Sequence, residues 1–229
     1  MTRIALGLLL LGTLLNLSAQ SSGNLDEAYA RLDKSAQNFK SVIADIKRNV
    51  HTAVINDDSR DQGSIKVKHD KGHETRMLID FTAPDAKTVS IDAGSVSMYL
   101  PKQKTIQVYD IGTKRDLVDQ FLLLGFGASG SDLKQHYDVT LLGREMIGSD
   151  NTWHLQLVPK SADALKNLKK AELWIAESSG LPVQQKFVTS GSGDYTLVTY
   201  SNMKPNAAVS DNALKLNVPK GVTVEHPKL

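Results

Sequence analysis

Gln62 to Asp110, QGSIKVKHDKGHETRMLIDFTAPDAKTVSIDAGSVSMYLPKQKTIQVYD, is the stretch whose reading decides the fold. Ile65 and Val67 alternate with Ser64, Lys66 and Lys68. Met77, Ile79 and Phe81 alternate with Arg76, Leu78 and Asp80. Val89 and Ile91 follow, then Val96, Met98 and Leu100, then Ile106 and Val108. The breaks are HDKG, TAPDA, DAGS and PKQK, rich in Gly, Pro and Asp. Period-2 runs of this length, punctuated by turn residues, predict an antiparallel meander with one face buried and the other wet. Such a sheet leaves a broad apolar face that something must cover, and the cover is the functional question.

Upstream, Asn24 reads as a helix N-cap with Glu27 three residues on as its capping-box partner. Leu25, Ala28, Tyr29, Leu32, Ala36 and Phe39 then recur at three- and four-residue spacing, an amphipathic helix with one apolar face. Near Phe39 the period changes to two. Val42, Ala44, Ile46, Val50, Thr52 and Val54 share one face of a strand, interrupted by Arg48, and NDDSRDQG reads as a polar hairpin loop.

Downstream of Tyr109 the pattern turns helical. Leu117, Val118, Phe121, Leu122 and Leu124 cluster in KRDLVDQFLLLGFG, and a second short helix begins at Ser131 or Asp132 and includes Leu133 and His136. VTLLGREMI, WHLQLVP, AELWIAE, VQQKFVT and DYTLVTYSNM are strand-like, and LKLNVPKGVTVEHP is the last strand and its exit. There is no internal repeat and no composition shift, so residues 24–229 are read as one domain. A sheet of this many strands must close, split or be covered, and two amphipathic helical segments are available as covers. Whether they complete a dry core or lid a cavity, periodicity cannot separate.

MTR followed by the apolar run Ile4–Leu17 and then SAQSSG reads as a secretory leader, cleaved after Ala19. Its apolar run is shorter than the ~20 residues a spanning helix needs. The chain of 229 residues has no cysteine, which excludes disulfides, thiolate nucleophiles and Cys-based metal sites. It also removes the residue that a lipid anchor would modify. The formal net charge is +2, and loss of Arg3 with the leader brings it near +1, which argues against nucleic acid as a partner.

Catalytic patterns are missing. GASGSD and TSGSGD lack the spacing of a nucleophile elbow, and no P-loop or dinucleotide fingerprint is present. His69 and His73 in HDKGHE are split by a Gly between strand patterns, so a solvated hairpin tip is preferred to a metal site. The expectation is a protein that is not an enzyme and holds no cofactor and no metal. Trp153, Trp174, Phe187, Tyr195 and Tyr200 lie in strands, where core packing is the default. Met77 and Met98 suit either an irregular core or a surface that accepts variable acyl chains.

Taken in order, RLDK (Arg31–Lys34), QGSIKVK (Gln62–Lys68), IDAG with SMYLP (Ile91–Pro101) and VPKGVTV (Val218–Val224) resemble the periplasmic outer-membrane lipoprotein carriers, the LolA-type family. The resemblance covers nearly the whole chain beyond the leader. It implies a mainly β, incomplete and curved antiparallel barrel of about ten or eleven strands, with an N-terminal helix and a helical insertion acting as lid. It implies a periplasmic monomer that takes lipoprotein acyl chains into an apolar cavity. Its implied partners are acylated lipoproteins, an inner-membrane lipoprotein-releasing ABC transporter and an outer-membrane acceptor. Carried over by position, Leu32, Met77, Ile79, Phe81, Leu117, Phe121 and Leu124 would line or close the cavity. Val89 and Met98 join them, though the sequence does not fix their facing. The family's lid-holding Arg and the Pro after it are replaced by His69 and Asp70, so His69 is the expected lid contact, a weaker donor near neutral pH. Two alternatives stay open: a carrier of free lipid or glycolipid on the same fold, and a module that senses lipoproteins and regulates a membrane partner.

Overall fold

The alternation in Ser41–Thr52 (β1) is answered by Asp57–His69 (β2), and the two pair antiparallel from Ser41↔Lys68 to Thr52↔Asp57 without a slip. A computed structural model describes residues 17–69, 75–92, 94–112, 124 and 126–227, with side chains from Leu25 onward. The expected meander continues through Thr75–Ala83 (β3), Lys87–Asp92 (β4), Ser95–Leu100 (β5) and Thr105–Asp110 (β6). A second meander comprises Tyr137–Ile147 (β7), Asp150–Pro159 (β8), Leu168–Ala176 (β9), Pro182–Thr189 (β10) and Tyr195–Pro205 (β11). β11 pairs with β1 and joins the two meanders, while Thr223–Glu225 (β12) lies parallel to β6 and covers that edge. The result is one curved, open twelve-stranded sheet, in the order β12-β6-β5-β4-β3-β2-β1-β11-β10-β9-β8-β7, that does not close into a barrel.

This order forces the connection between the meanders. β6 and β7 stand near opposite edges, ten strand spacings apart, a span of about 48 Å if the sheet were flat. The described part of this traverse, Leu124 and residues 126–129, lies against the inner face, with Leu124 and Phe126 buried there. The traverse ends in a short helix, Gly130–His136 (α2), capped by Ser129, with Asp132 completing a capping box. Another, Ala162–Asn167 (α3), links β8 and β9.

The N-terminal helix, Leu17–Asn38 (α1), lays Ala28, Tyr29 and Leu32 on Leu155, Leu157, Leu173 and Ile175 of the second meander. It docks closely against α2. The backbone N–H of Gly130 donates to Asp33 Oδ1 at 2.8 Å, and a Cβ on Gly130 would stand 2.8 Å from Tyr29 Cβ. Among the described residues no helix is long and apolar enough to cross a membrane.

Several expectations need correction. The sheet has twelve strands, where about ten or eleven were expected. Asn24 lies inside α1, not at its start, since the helix already runs from Leu17. Most of NDDSRDQG is strand: β2 begins at Asp57, and only residues 53–56 turn, which puts Val54 in the turn rather than in β1. That end of the β1–β2 hairpin extends past β3, so residues 57–60 of β2 form a polar ladder exposed on both faces and give no alternation to read. Much of LKLNVPKGVTVEHP is irregular, preceded by a 3₁₀ turn at Asp211–Leu214. Nor is the outer face uniformly wet. Leu78 is buried there, and Leu214, whose carbonyl accepts from Ser90 Oγ at 3.4 Å, is the apolar residue of the turn that crosses β3.

Candidate functional site on the inner face

Register fixes which side chains share the inner face of the first meander. One row runs Val67–Met77–Ile91–Val96, and the next Ile65–Ile79–Val89–Met98. Val89 and Met98 therefore face the same way as Ile79, which the sequence left open. Burial is graded along these rows. Val67, Ile65, Met77 and Ile91 are buried, whereas Ile79, Val89, Val96 and Met98 remain half-exposed. The same face of the second meander is closed by α1, and Leu32 there is wholly buried in the core rather than at an opening.

A third row begins with Ile46 opposite Gly63 and Gly63 opposite Phe81, and it ends the apolar surface in charge. Arg48 and Lys87 each stand 5.0 Å from the Phe81 ring, within cation–π range. Asp61 accepts from Arg48 Nε at 2.9 Å, from Arg48 Nη2 at 2.5 Å and from Lys87 Nζ at 2.9 Å. Burial pushes the Asp61 carboxyl up, but the Lys87 and Arg48 bonds outweigh it and hold the group below the usual carboxylate range.

The traverse is pegged to the sheet by a buried polar chain. Gln185 on β10 donates through Nε2 to the Leu124 carbonyl, and its Oε1 accepts from Tyr200 of β11 at 2.7 Å. Burial pushes the Tyr200 hydroxyl up, which keeps it a neutral donor. Phe126 meets Tyr200 edge-on at 5.0 Å and Phe39 at 6.3 Å. Gly127, at φ +84°, would bring a Cβ within 2.9 Å of Phe39, so only glycine fits that bend.

Met77, Ile79, Phe81, Val89 and Met98 thus converge on one surface, and Leu124 sits at the peg. Leu117 and Phe121 lie outside the described residues. His69 ends β2, its backbone N–H donating to Lys40 O at 2.8 Å and its Nδ1 lying 3.0 Å from Thr75 Oγ1. Asp70 to Glu74, the rest of HDKGHE, are outside the described residues. Gln185, Tyr200 and Phe126 were missed as site residues. The legible clue was Gln185, a lone amide at an apolar parity in VQQKFVT.

The outer face carries a cluster that the sequence did not single out. His154 stacks on Trp174 at 4.1 Å, and its Nδ1 lies 2.6 Å from Glu145 and its Nε2 3.3 Å from Glu172. Trp174 Nε1 donates to Glu145 and Lys170 pairs with Glu172, which cross-links β7, β8 and β9. No group of three or more acidic or His side chains suited to a metal occurs among the described residues.

Residues 46–202 match the MucB/RseB N-terminal domain. The chain belongs to that family. The span runs from the middle of β1 through most of β11, and so includes the inner-face rows and the Gln185 peg. Solved structures share the fold at low identity. MucB is 14% identical with a TM-score of 0.54, over 88% of this chain and 66% of its own. An uncharacterized conserved protein from Thermus thermophilus is 12% identical with a TM-score of 0.54, over 89% and 99%. A LolA superfamily protein from Nitrosomonas europaea aligns at 13% identity over 84% of this chain and 97% of its own, with a TM-score of 0.42. No curated protein matches the sequence. The family shown is thus MucB/RseB, and the LolA-type carrier stays an expectation from the motifs quoted above.

Proposed function

We propose that this MucB/RseB-type domain binds acyl chains on the inner face of β2–β6, as a periplasmic module that takes up lipoprotein lipids and passes them from inner to outer membrane. The observation that carries the reading is the graded row Ile65–Ile79–Val89–Met98, dry at one end and half-exposed at the other, continuous with a core and bordered by the Gln185 peg. Each acyl CH₂ moved out of water there gains ~0.8 kcal/mol, enough to hold a chain and still release it. Leu117 and Phe121 are proposed as further lining residues and His69 as the contact that steadies the closing segment. The donor would be an inner-membrane lipoprotein-releasing ABC transporter and the receiver an outer-membrane acceptor.

A second reading is favoured by the family: acyl binding serves regulation, and occupancy alters how the module holds a protein partner. MucB has been solved in complex with MucA, and this chain spans 66% of the MucB chain. Native mass spectrometry of the detergent-free protein, followed by displacement of a fluorescent acyl probe, tests the shared premise. Co-purifying acylated protein with saturable probe binding supports the carrier. Probe binding that changes affinity for a partner segment supports the regulator. A protein that is empty and binds no probe refutes both.

A further inference from the structure

Behind Phe81, on the opposite side of the sheet, a pocket of about 450 Å³ opens that acyl binding leaves unused. Its floor is the outward row of three adjacent strands, with Lys47 opposite both Gln62 and Thr199, and Asn49 opposite both Arg60 and Leu197. The backbones of Arg48 and Asp61 run between these residues, their side chains turned to the Phe81 side, and Ala83 and Pro84 close one end. Two cations, Lys47 and Arg60, therefore line the pocket with no carboxylate among the outward residues, and Arg60 stands 3.9 Å from Asp58 at its margin. Asn49 Oδ1 is buried without a hydrogen-bond partner, an acceptor waiting for a donor.

We infer that this pocket binds a small hydroxylated anion, a phosphate or carboxylate bearing a neighbouring hydroxyl. The cations require an anionic group, and Arg supplies the forked donor geometry that phosphates and carboxylates fit. Asn49 Oδ1 requires a donor, which a bare phosphate at neutral pH presents poorly and an adjacent hydroxyl presents well. Gln62 and Thr199 add one amide and one hydroxyl, and Leu197 with Pro84 gives an apolar wall for a short carbon skeleton. The volume lies within the range of small-molecule sites. The site does not rest on the acyl-binding reading, since it lies on the other face of the sheet.

The test is a low-salt titration of the full-length, isotope-labelled protein with glycerol 3-phosphate, inorganic phosphate and glycerol. The side-chain amide signals of Asn49 and Gln62 are followed beside the methyl signals of Ile79 and Met98. We expect a saturable shift of both amides with glycerol 3-phosphate by about 10 mM, a weaker one with phosphate and none with glycerol. Lys47→Ala combined with Arg60→Ala should weaken binding about tenfold with an unchanged urea midpoint, since Lys47 is exposed and the Arg60 side chain is 76% exposed. Dihexanoyl phosphatidylglycerol distinguishes the sources. Tighter binding than glycerol 3-phosphate, still weakened by the double variant, assigns the site to a lipid headgroup. Equal or weaker binding assigns it to the free anion. Amide signals that do not move, or that shift undiminished in the double variant, overturn the proposal. Moving amides with methyls indifferent to an acyl probe would sink the acyl reading alone.

Discussion

Gln185→Leu removes the peg that holds the traverse to the sheet, and its cost follows from the partners it abandons. Gln185 is only 4% exposed, and both ends of its amide are used. The substitution strips the Leu124 carbonyl of its donor and the Tyr200 hydroxyl of its acceptor. Each buried group left unpaired costs about 1–3 kcal/mol, so the single variant should lose about 2–6 kcal/mol. Against a domain stability of about 5–15 kcal/mol that is a large fraction. Tyr200→Phe strips only Gln185 Oε1 and should cost about 1–3 kcal/mol. The double variant leaves only the Leu124 carbonyl unpaired, so it should be more stable than Gln185→Leu despite carrying one more change. Urea unfolding of the four proteins gives the coupling energy of the cycle. Hydrogen exchange at residues 126–129 reports whether the traverse has loosened locally in Gln185→Leu. A double variant less stable than Gln185→Leu, or a single variant within about 0.5 kcal/mol of the parent, refutes the peg.

Ile79→Glu or Met98→Glu should lower acyl-probe affinity more than about tenfold, because a carboxylate would face hydrocarbon, while leaving the far-ultraviolet spectrum unchanged; fluorescence titration checks this. Gly127→Ala should destabilise by about 1–2 kcal/mol, from the strain at φ +84° and the contact with Phe39, read as a drop in the thermal midpoint. Asp61, with its folded pKa held below the ordinary value, adds stability that is present above the unfolded pKa of about 3.9 and is lost as pH falls through the lowered value. Asp61→Asn should therefore flatten the acid limb of stability, and an unaltered acid limb in urea midpoints would remove Asp61 from that role.

The inner face of the first meander was readable because its strands are short, alternating and punctuated by turns. Met77, Ile79 and Phe81 could be assigned to one face from period alone. What period could not supply was partnership across the sheet. Val89 and Met98 acquire their facing from the register of β3, β4 and β5, a relation between segments. Gln185 and Tyr200 look like ordinary strand residues until Leu124 is brought over them by a connection that the strand order, not local sequence, compels. The polar ladder of β2 failed for the opposite reason. With both faces wet it has no alternation, and its strand character comes from pairing with β1. The helix start at Asn24 failed because a good capping pattern inside a longer helical run cannot stop the helix from beginning earlier.

The two halves of this sheet have the same inward alternation but different fates, and the difference lies in what the chain can place over them. α1 precedes β1 and returns over the second meander, where Ala28 and Leu32 meet Leu155, Leu157 and Leu173 in a dry core. That commits the only long described helix to one half. The described part of the traverse, Leu124 and residues 126–129, is held over β10 and β11 by the Gln185 amide, by the edge-on contact of Phe126 with Tyr200 and by the apolar clusters that Leu124 and Phe126 join. A polar peg contributes a few kcal/mol at most, less than an apolar interface of helix size, and the first half is the one on which we propose acyl binding. The half-exposed row Ile79–Val89–Met98 lies where that argument puts it, on the half that α1 does not reach.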